Sequence, residues 1–190
     1  MKLCIISGTN RRNSQTRRVA DLVDRTYQSH GITPTMLDLI DLPQGLLSPD
    51  AYAKKPDSFS AFTNVVLASD GLHVVTPEYN GGIPGILKLF IDMLPFPESF
   101  ENRPVAFTGL AAGRWGALRP VEQLQQIFGY RNAHIFNQRV FLPGIGDLLA
   151  DDGTLAAGLT SELFHQQIRD FAQYCQKLSP NSLSEAPGDS

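Results

Sequence analysis

Two stretches of this chain hold residue types whose spacing can do chemistry. The first, Ser7-Gly8-Thr9-Asn10-Arg11-Arg12-Asn13-Ser14-Gln15-Thr16, is polar and opens directly into an amphipathic run. Gly8 permits a tight turn, and the hydroxyls of Thr9, Ser14 and Thr16 can donate. Arg11 offers a charge-assisted bond, and the start of the following helix presents free N–H groups at the positive end of its dipole. Such a set suits a phosphate. The competing reading is plain helix capping by Ser14 or Asn13, with Arg12, Arg17 and Arg18 solvated. A Walker loop would need Gly at 13 and Lys at 14, and a dinucleotide turn beginning at Gly8 would need glycines at 10 and 13; neither is present.

The second stretch, Thr76-Pro77-Glu78-Tyr79-Asn80-Gly81-Gly82-Ile83-Pro84-Gly85-Ile86-Leu87-Lys88, joins an apolar run to a helix through a turn rich in glycine and proline. Peptide planes from Pro77 to Gly82 can lie against a flat ring, with Tyr79 and Asn80 at its edge and the two glycines permitting close approach. Pro84 is placed as the first helical residue. A third piece, Gly109-Leu110-Ala111-Ala112-Gly113-Arg114-Trp115-Gly116, has small residues that let backbone reach a ligand edge, and Arg114 adds a charge. Trp115 either shields that ligand or packs in an interface.

The elements that position these loops follow from periodicity. Apolar runs at Leu3 to Ile6, Thr35 to Leu39, Gly71 to Val75, Val105 to Phe107 and Ile135 to Phe141 have strand length. Between them, Val19, Leu22, Val23 and Tyr27 form one helical stripe, and Leu118, Val121, Leu124 and Phe128 another. A last helix from Leu159 to Leu178 shows Phe164, Ile168, Phe171, Ala172 and Cys175 on one face. Continuously apolar strands alternating with amphipathic helices imply a parallel sheet covered on both faces, with ligands beyond the carboxyl ends of the strands. A helix from Ile83 to Leu94 with almost no polar side is expected to be buried nearly all round. The connection from Leu42 to Ser58 is long, either a surface excursion or a lid.

The string PEYNGGIPGILKLFIDML resembles the NADPH-dependent FMN reductases of flavodoxin-like fold, which carry a Pro-Glu-Tyr-Asn turn followed by Pro-Gly and Leu-Lys. The first loop is similar to the family's Gly-Ser turn, with Arg11 and Ser14 at matching positions and Thr9 and Thr16 replacing the usual Ser and Asn. The resemblance spans roughly residues 2 to 145. It implies a three-layer α/β sandwich with a five-stranded parallel sheet of order 2-1-3-4-5. It also implies FMN, held by Thr9, Arg11, Asn13, Ser14, Gln15 and Thr16 in the first loop, by Pro77, Glu78, Tyr79, Asn80, Gly81 and Gly82 in the second, and by Ala112, Gly113 and Arg114 in the third. NADPH or NADH is the implied electron donor. Quinones, azo compounds, metal oxyanions or free flavins are the implied acceptors, and a homodimer or tetramer packed through the third helix is the implied assembly. No side-chain catalyst is expected, since the flavin carries the chemistry. Two competing readings are a non-catalytic electron carrier of flavodoxin type and a flavin-free binding paralogue.

At 190 residues with 42% hydrophobic and 18% charged content, one globular domain over residues 1–178 is expected, with a disordered tail at 179–190. The net charge of -3 argues against nucleic acid as a partner. Two cysteines, Cys4 and Cys175, make neither a disulfide framework nor a metal site. The short amino-terminal apolar run is too brief for a signal peptide, and no membrane span is indicated, so a cytoplasmic protein is expected. His73, inside a strand, is expected to be a packed residue.

Overall fold

The structure, a computed structural model, describes residues 1–178; the tail expected at 179–190 lies outside the described residues. An apolar strand with no polar alternation must be covered on both faces. Accordingly, every residue of β1 (Leu3–Ser7), β3 (Gly71–Pro77) and β4 (Pro104–Leu110) is buried. With β2 (Thr35–Asp38) and β5 (His134–Ile135) they form a parallel sheet in the order β2-β1-β3-β4-β5, and β6 (Val140–Leu142) also pairs with β4. The expected 2-1-3-4-5 order is therefore found.

Helices cover both faces. On one side, α2 (Ser60–Ala68), α3 (Gly85–Met93) and α4 (Leu118–Tyr130) bury Val66, Phe90, Leu124 and Phe128 against the sheet. On the other, α1 (Gln15–Ser29) and α6 (Leu159–Leu178) bury Val19, Val23, Ile168 and Phe171. A single-turn helix, α5 (Ile145–Leu148), follows β6. The Leu42 to Ser58 connection is a series of short 3-10 turns pinned to the core by Leu46 and Ala51 within it and by Phe59 just after it, all at most 2% exposed.

Three expectations need correction. The fifth strand does not run unbroken from residue 135 to 141: β5 pairs with Pro104 and Val105, β6 with Thr108 to Leu110, and the chain leaves the ladder between them. Gln167 of α6 fills that gap, its Nε2 donating to Phe107 O at 2.9 Å and Gln138 O at 2.8 Å. Pro84 stands just before α3, not in its first turn; its carbonyl accepts from Leu87 and Lys88. Finally, α3 is not buried all round, because Gly85, Lys88 and Asp92 form an exposed stripe on which Lys88 pairs with Asp92 at 2.6 Å.

The layer between α1, the sheet and α6 contains a polar thread. Gln167 uses its amide N–H groups on two carbonyls, so its Oε1 accepts from Thr108 Oγ1 at 2.7 Å. With its proton so used, Thr108 must accept from His73 Nε2, 2.8 Å away. The other imidazole nitrogen, Nδ1, then accepts from Tyr27 Oη at 2.9 Å. One neutral tautomer satisfies every member, and Tyr27, His73, Thr108 and Gln167 are all 0% exposed. His73 is thus a packed residue, as expected from its place in a strand.

Burial pushes the His73 pKa down to about 3. The folded state holds this ring neutral while the unfolded chain protonates it below about 6.5. Stability from this group is therefore complete above about pH 6.5 and is lost as pH falls toward 3. The slope approaches ~1.4 kcal/mol per pH unit. Urea denaturation at pH 7 and pH 5 should show a loss in the parent protein about 2 kcal/mol larger than in His73→Asn, that slope taken over the titrating part of the interval. Equal losses in both proteins would exclude His73 as the source.

Candidate functional site

The loops after β1, β3 and β4 leave the same end of the sheet, and the structure joins the first two directly. Pairing of β1 with β3 runs to Ser7 opposite Val75 and is extended by Gly8 N–H donating to Val75 O at 2.8 Å. A side chain at Gly8 would lie 2.7 Å from that carbonyl, which is why glycine occupies the turn. Immediately beyond, Thr9 Oγ1 and Tyr79 Oη lie 2.7 Å apart, and Arg11 N–H donates to the same Thr9 oxygen at 3.2 Å. Each hydroxyl has one proton, and one of the two makes the bond between them. The other O–H remains available to an incoming acceptor.

Along the first loop, Asn13 adopts a left-handed conformation with φ 52°, which turns the chain into α1. Ser14 is the N-cap, its Oγ accepting from Arg17 N–H at 3.1 Å, so its hydroxyl oxygen is partly committed. Thr16 is buried, Gln15 is half-buried with Oε1 bonded to Arg18, and Arg11 is exposed with no ion pair among the described residues. The N–H groups of Asn10, Arg12 and Asn13 meet no acceptor among the described residues, and those of Gln15 and Thr16 lie in the helix's first turn, where none is available within the helix. This loop is a concentration of unsatisfied donors at the positive end of α1.

The second loop is tighter than its composition alone requires. Thr76 and Pro77 belong to β3, and Tyr79 and Gly82 exchange two backbone bonds of 3.0 Å. Between them, Asn80 and Gly81 have φ of 51° and 77°, a two-residue turn of type I′. Two residues of α4, one helical turn apart, brace it from below. Arg119 Nη1 pairs with Glu78 Oε1 at 2.9 Å, and Gln123 Oε1 accepts from Ile83 N–H at 3.0 Å. Their i, i+4 spacing on an amphipathic helix was the only signal in the sequence that they share a face.

Glu78, Asn80 and Gly81 wall a pocket of about 300 Å³ whose other side is Ala111, Ala112, Gly113 and Trp115. The N–H groups of Ala112, Gly113 and Arg114 meet no acceptor among the described residues. Arg114 does not line this pocket; its guanidinium lies over the Trp115 ring, 4.8 Å from the centroid. Glu78 Oε2 is buried with no hydrogen-bond partner, an arrangement that costs about 1–3 kcal/mol unless a ligand donor completes it. Of the arginines expected to be solvated, Arg12 and Arg17 are exposed, but Arg17 also binds Asp21 and Asp38, each at 2.8 Å, which hold its charge more firmly, with Asp38 the larger influence. Arg18 reaches Ala150 O. No cluster of His, Cys, Asp and Glu among the described residues is suited to a metal ion, and no helix there is long and apolar enough to cross a membrane.

Three loops converging at the carboxyl edge of this sheet belong to many α/β proteins, and sequence comparison decides among them. Residues 1–146 match the family described as NADPH-dependent FMN reductase. The chain belongs to that family. This FMN reductase family member is 29% identical over 152 residues to an NAD(P)H-dependent FMN reductase of Pseudomonas aeruginosa, covering 78% of this chain and 81% of that protein. It is 26% identical over 174 residues to an NADPH azoreductase of a Bacillus species, covering 92% of each. Its fold is similar to that of FerB, a flavoenzyme NAD(P)H:(acceptor) oxidoreductase of Paracoccus denitrificans, with a TM-score of 0.77 and 20% identity over 93% of this chain and 97% of FerB. The flavodoxin-like architecture is thereby established.

The residues present fit FMN. A flavin's pyrimidine edge has several acceptors and one N–H donor; the pocket has free backbone N–H groups and one orphaned carboxylate oxygen. Conformation alone should set the cost of altering the turn. Gly81→Ala, with no atom nearer than Arg119 Cδ at 3.8 Å, is expected to lose about 1 kcal/mol through its positive φ, whereas Gly113→Ala, with open space and ordinary φ, should change stability by less than about 0.5 kcal/mol. Urea denaturation of the two variants checks this, and equal losses would contradict the strained-turn assignment.

Proposed function

We propose that this chain is an FMN-dependent NAD(P)H oxidoreductase of the quinone and azo reductase kind, and that the three convergent loops hold its flavin. The observation that carries the reading is the Thr9–Tyr79 bond, which places a donor-rich loop beside a ring-sized pocket in a chain of this family. Bound FMN would take hydride from NADPH or NADH and pass electrons to a second substrate, with quinones, azo compounds, metal oxyanions or free flavin as the acceptors.

The chain's own residues bind and orient. Arg11 supplies charge to the flavin phosphate, and the Thr9–Tyr79 pair supplies its spare O–H. The start of α1, with Asn13, Ser14, Gln15 and Thr16, supplies backbone and side-chain donors. Pro77, Glu78, Tyr79, Asn80, Gly81 and Gly82 form one wall against the ring, Glu78 accepting its N–H. Ala112, Gly113 and Arg114 present N–H groups to the pyrimidine edge, where negative charge develops on reduction. No side chain moves a proton in this scheme.

We also propose that residues 1–178 form one domain and that the protein works in the cytoplasm as a homodimer or tetramer. The free, buried cysteines Cys4 and Cys175 support a reducing compartment. A self-association face near α3 is supported by the exposed aromatic rings of Phe96 (65%) and Tyr130 (80%) beside the Lys88–Asp92 stripe. Sedimentation should give at least twice the chain mass, and Phe96→Glu with Tyr130→Glu should reduce it to one chain. A monomeric parent protein would exclude this assembly.

The reading is tested by FMN titration followed by anaerobic NADPH. Tight FMN binding and bleaching of the flavin absorbance are expected, and Arg11→Ala should weaken FMN by about tenfold, the loss of roughly one charge-assisted bond. Tight binding without bleaching by NADPH or NADH would instead favour an electron carrier, and no binding a flavin-free role. Unchanged FMN affinity in Arg11→Ala would remove that residue from the site.

A further inference from the structure

Four arginines crowd the first loop and the start of α1, and the structure distinguishes them. Arg17 and Arg18 are tied to protein partners, and Arg11 belongs to the proposed phosphate loop. Arg12 lines a separate cavity of about 500 Å³ between the first loop, the segment after β2 and the first turns of α3. Its guanidinium has no ion pair or hydrogen bond among the described residues.

The cavity's chemistry is mixed in a specific way. Leu39, Leu42 and Leu46 from the segment after β2, with Ile86 and Leu89 from α3, make aliphatic walls. Asn10 and Gln44 bring the amide groups. No carboxylate lines it; Asp41, although between Ile40 and Leu42 in the chain, is not part of the wall. At the rim, Leu47 is 72% exposed, so apolar surface is left open to a ligand. An uncompensated guanidinium beside aliphatic walls and amides, in a chain of net charge -3, matches a flat apolar body that carries an anionic group.

We propose that this cavity is a second small-molecule subsite, in which the aliphatic walls take an aromatic body and Arg12 binds its anionic substituent. The proposal rests on the redox reading for its place in the enzyme, since the cavity shares the first loop with the flavin site. Two sources present the same chemistry there: the 2′-phosphoadenosine end of NADPH, and an acceptor bearing a sulfonate or carboxylate. The first makes Arg12 the residue that distinguishes NADPH from NADH; the second makes it a selector of anionic acceptors. Arg12 is exposed and outside the core, so its replacement leaves the fold intact.

The test is binding of 2′-AMP and of anthraquinone-2-sulfonate, by calorimetry, to the parent protein and to Arg12→Gln, each with and without FMN. At least one probe should bind the parent and weaken about tenfold in the variant. Weakening of 2′-AMP, accompanied by a matching fall in kcat/KM for NADPH and none for NADH, identifies the nucleotide. Weakening of the sulfonate, accompanied by a fall in kcat/KM for that acceptor with NADH as donor and none for neutral 2-methyl-1,4-naphthoquinone, identifies the acceptor. Equal affinities of parent and variant for both probes, or no binding of either by the parent, overturns the subsite. A protein that takes no FMN sinks the redox reading, while the binding comparison still reads Arg12.

Discussion

The register between β1 and β3 is the constraint on which the candidate site depends. These two strands are neighbours in space but are separated in sequence by α1, β2 and α2, and the order of the sheet reverses between them. Their carboxyl ends must therefore send chain in different directions, which opens a crevice. Gly8 carries the pairing one residue past the strand, and Thr9 meets Tyr79 across the crevice mouth. A slip of one residue would turn Ser7 and Val75 to opposite faces and separate the two hydroxyl groups. The donor-rich loop and the ring-sized pocket are held together by this alignment, not by contacts with each other alone.

Support comes from both layers of helices, by different physics. On the α4 side it is local and partly exposed: Arg119 and Gln123 hold Glu78 and Ile83 from one helical face, with Arg119 itself 53% exposed. On the α1 and α6 side it is wholly buried, with Gln167 replacing ladder bonds where the fifth strand is broken. A four-residue interruption in a parallel edge strand would leave carbonyls without partners, and one glutamine amide satisfies Phe107 O of β4 and Gln138 O of the interruption itself. The break lets β6 restart beside Thr108 to Leu110, close to the third convergent loop, where Ala111 N–H then bonds Leu142 O at 3.2 Å.

Much of this was legible in the residues themselves. Unbroken apolar runs identified β1, β3 and β4 because strands buried on both faces have no reason to alternate, and the stripe of Phe164, Ile168 and Phe171 identified α6. Asn80-Gly81 is a strong turn signal because both residues tolerate positive φ. What could not be read depends on partners distant in sequence. Gln167 looks like any surface residue of a helix until Phe107 and Gln138 are placed beside it, and Arg12 looks like Arg17 until Asp38 is seen to neutralise only the latter. The apolar sequence of α3 overstated its burial because Lys88 and Asp92, four residues apart, suffice to make a narrow solvated stripe.

The thread from Tyr27 through His73 and Thr108 to Gln167 has a direction, because each proton is used once and each link fixes which atom of the next must accept. Replacing His73 or Thr108 strands a donor on one side and an acceptor on the other in a dry interior, and exchanging all four for apolar residues would still strand Phe107 O and Gln138 O, the two carbonyls that Gln167 serves. Both single-step drift and wholesale exchange are therefore closed at these positions, because the thread is anchored to the break in the fifth strand. Descendants of this chain that keep the break should keep the four residues with it.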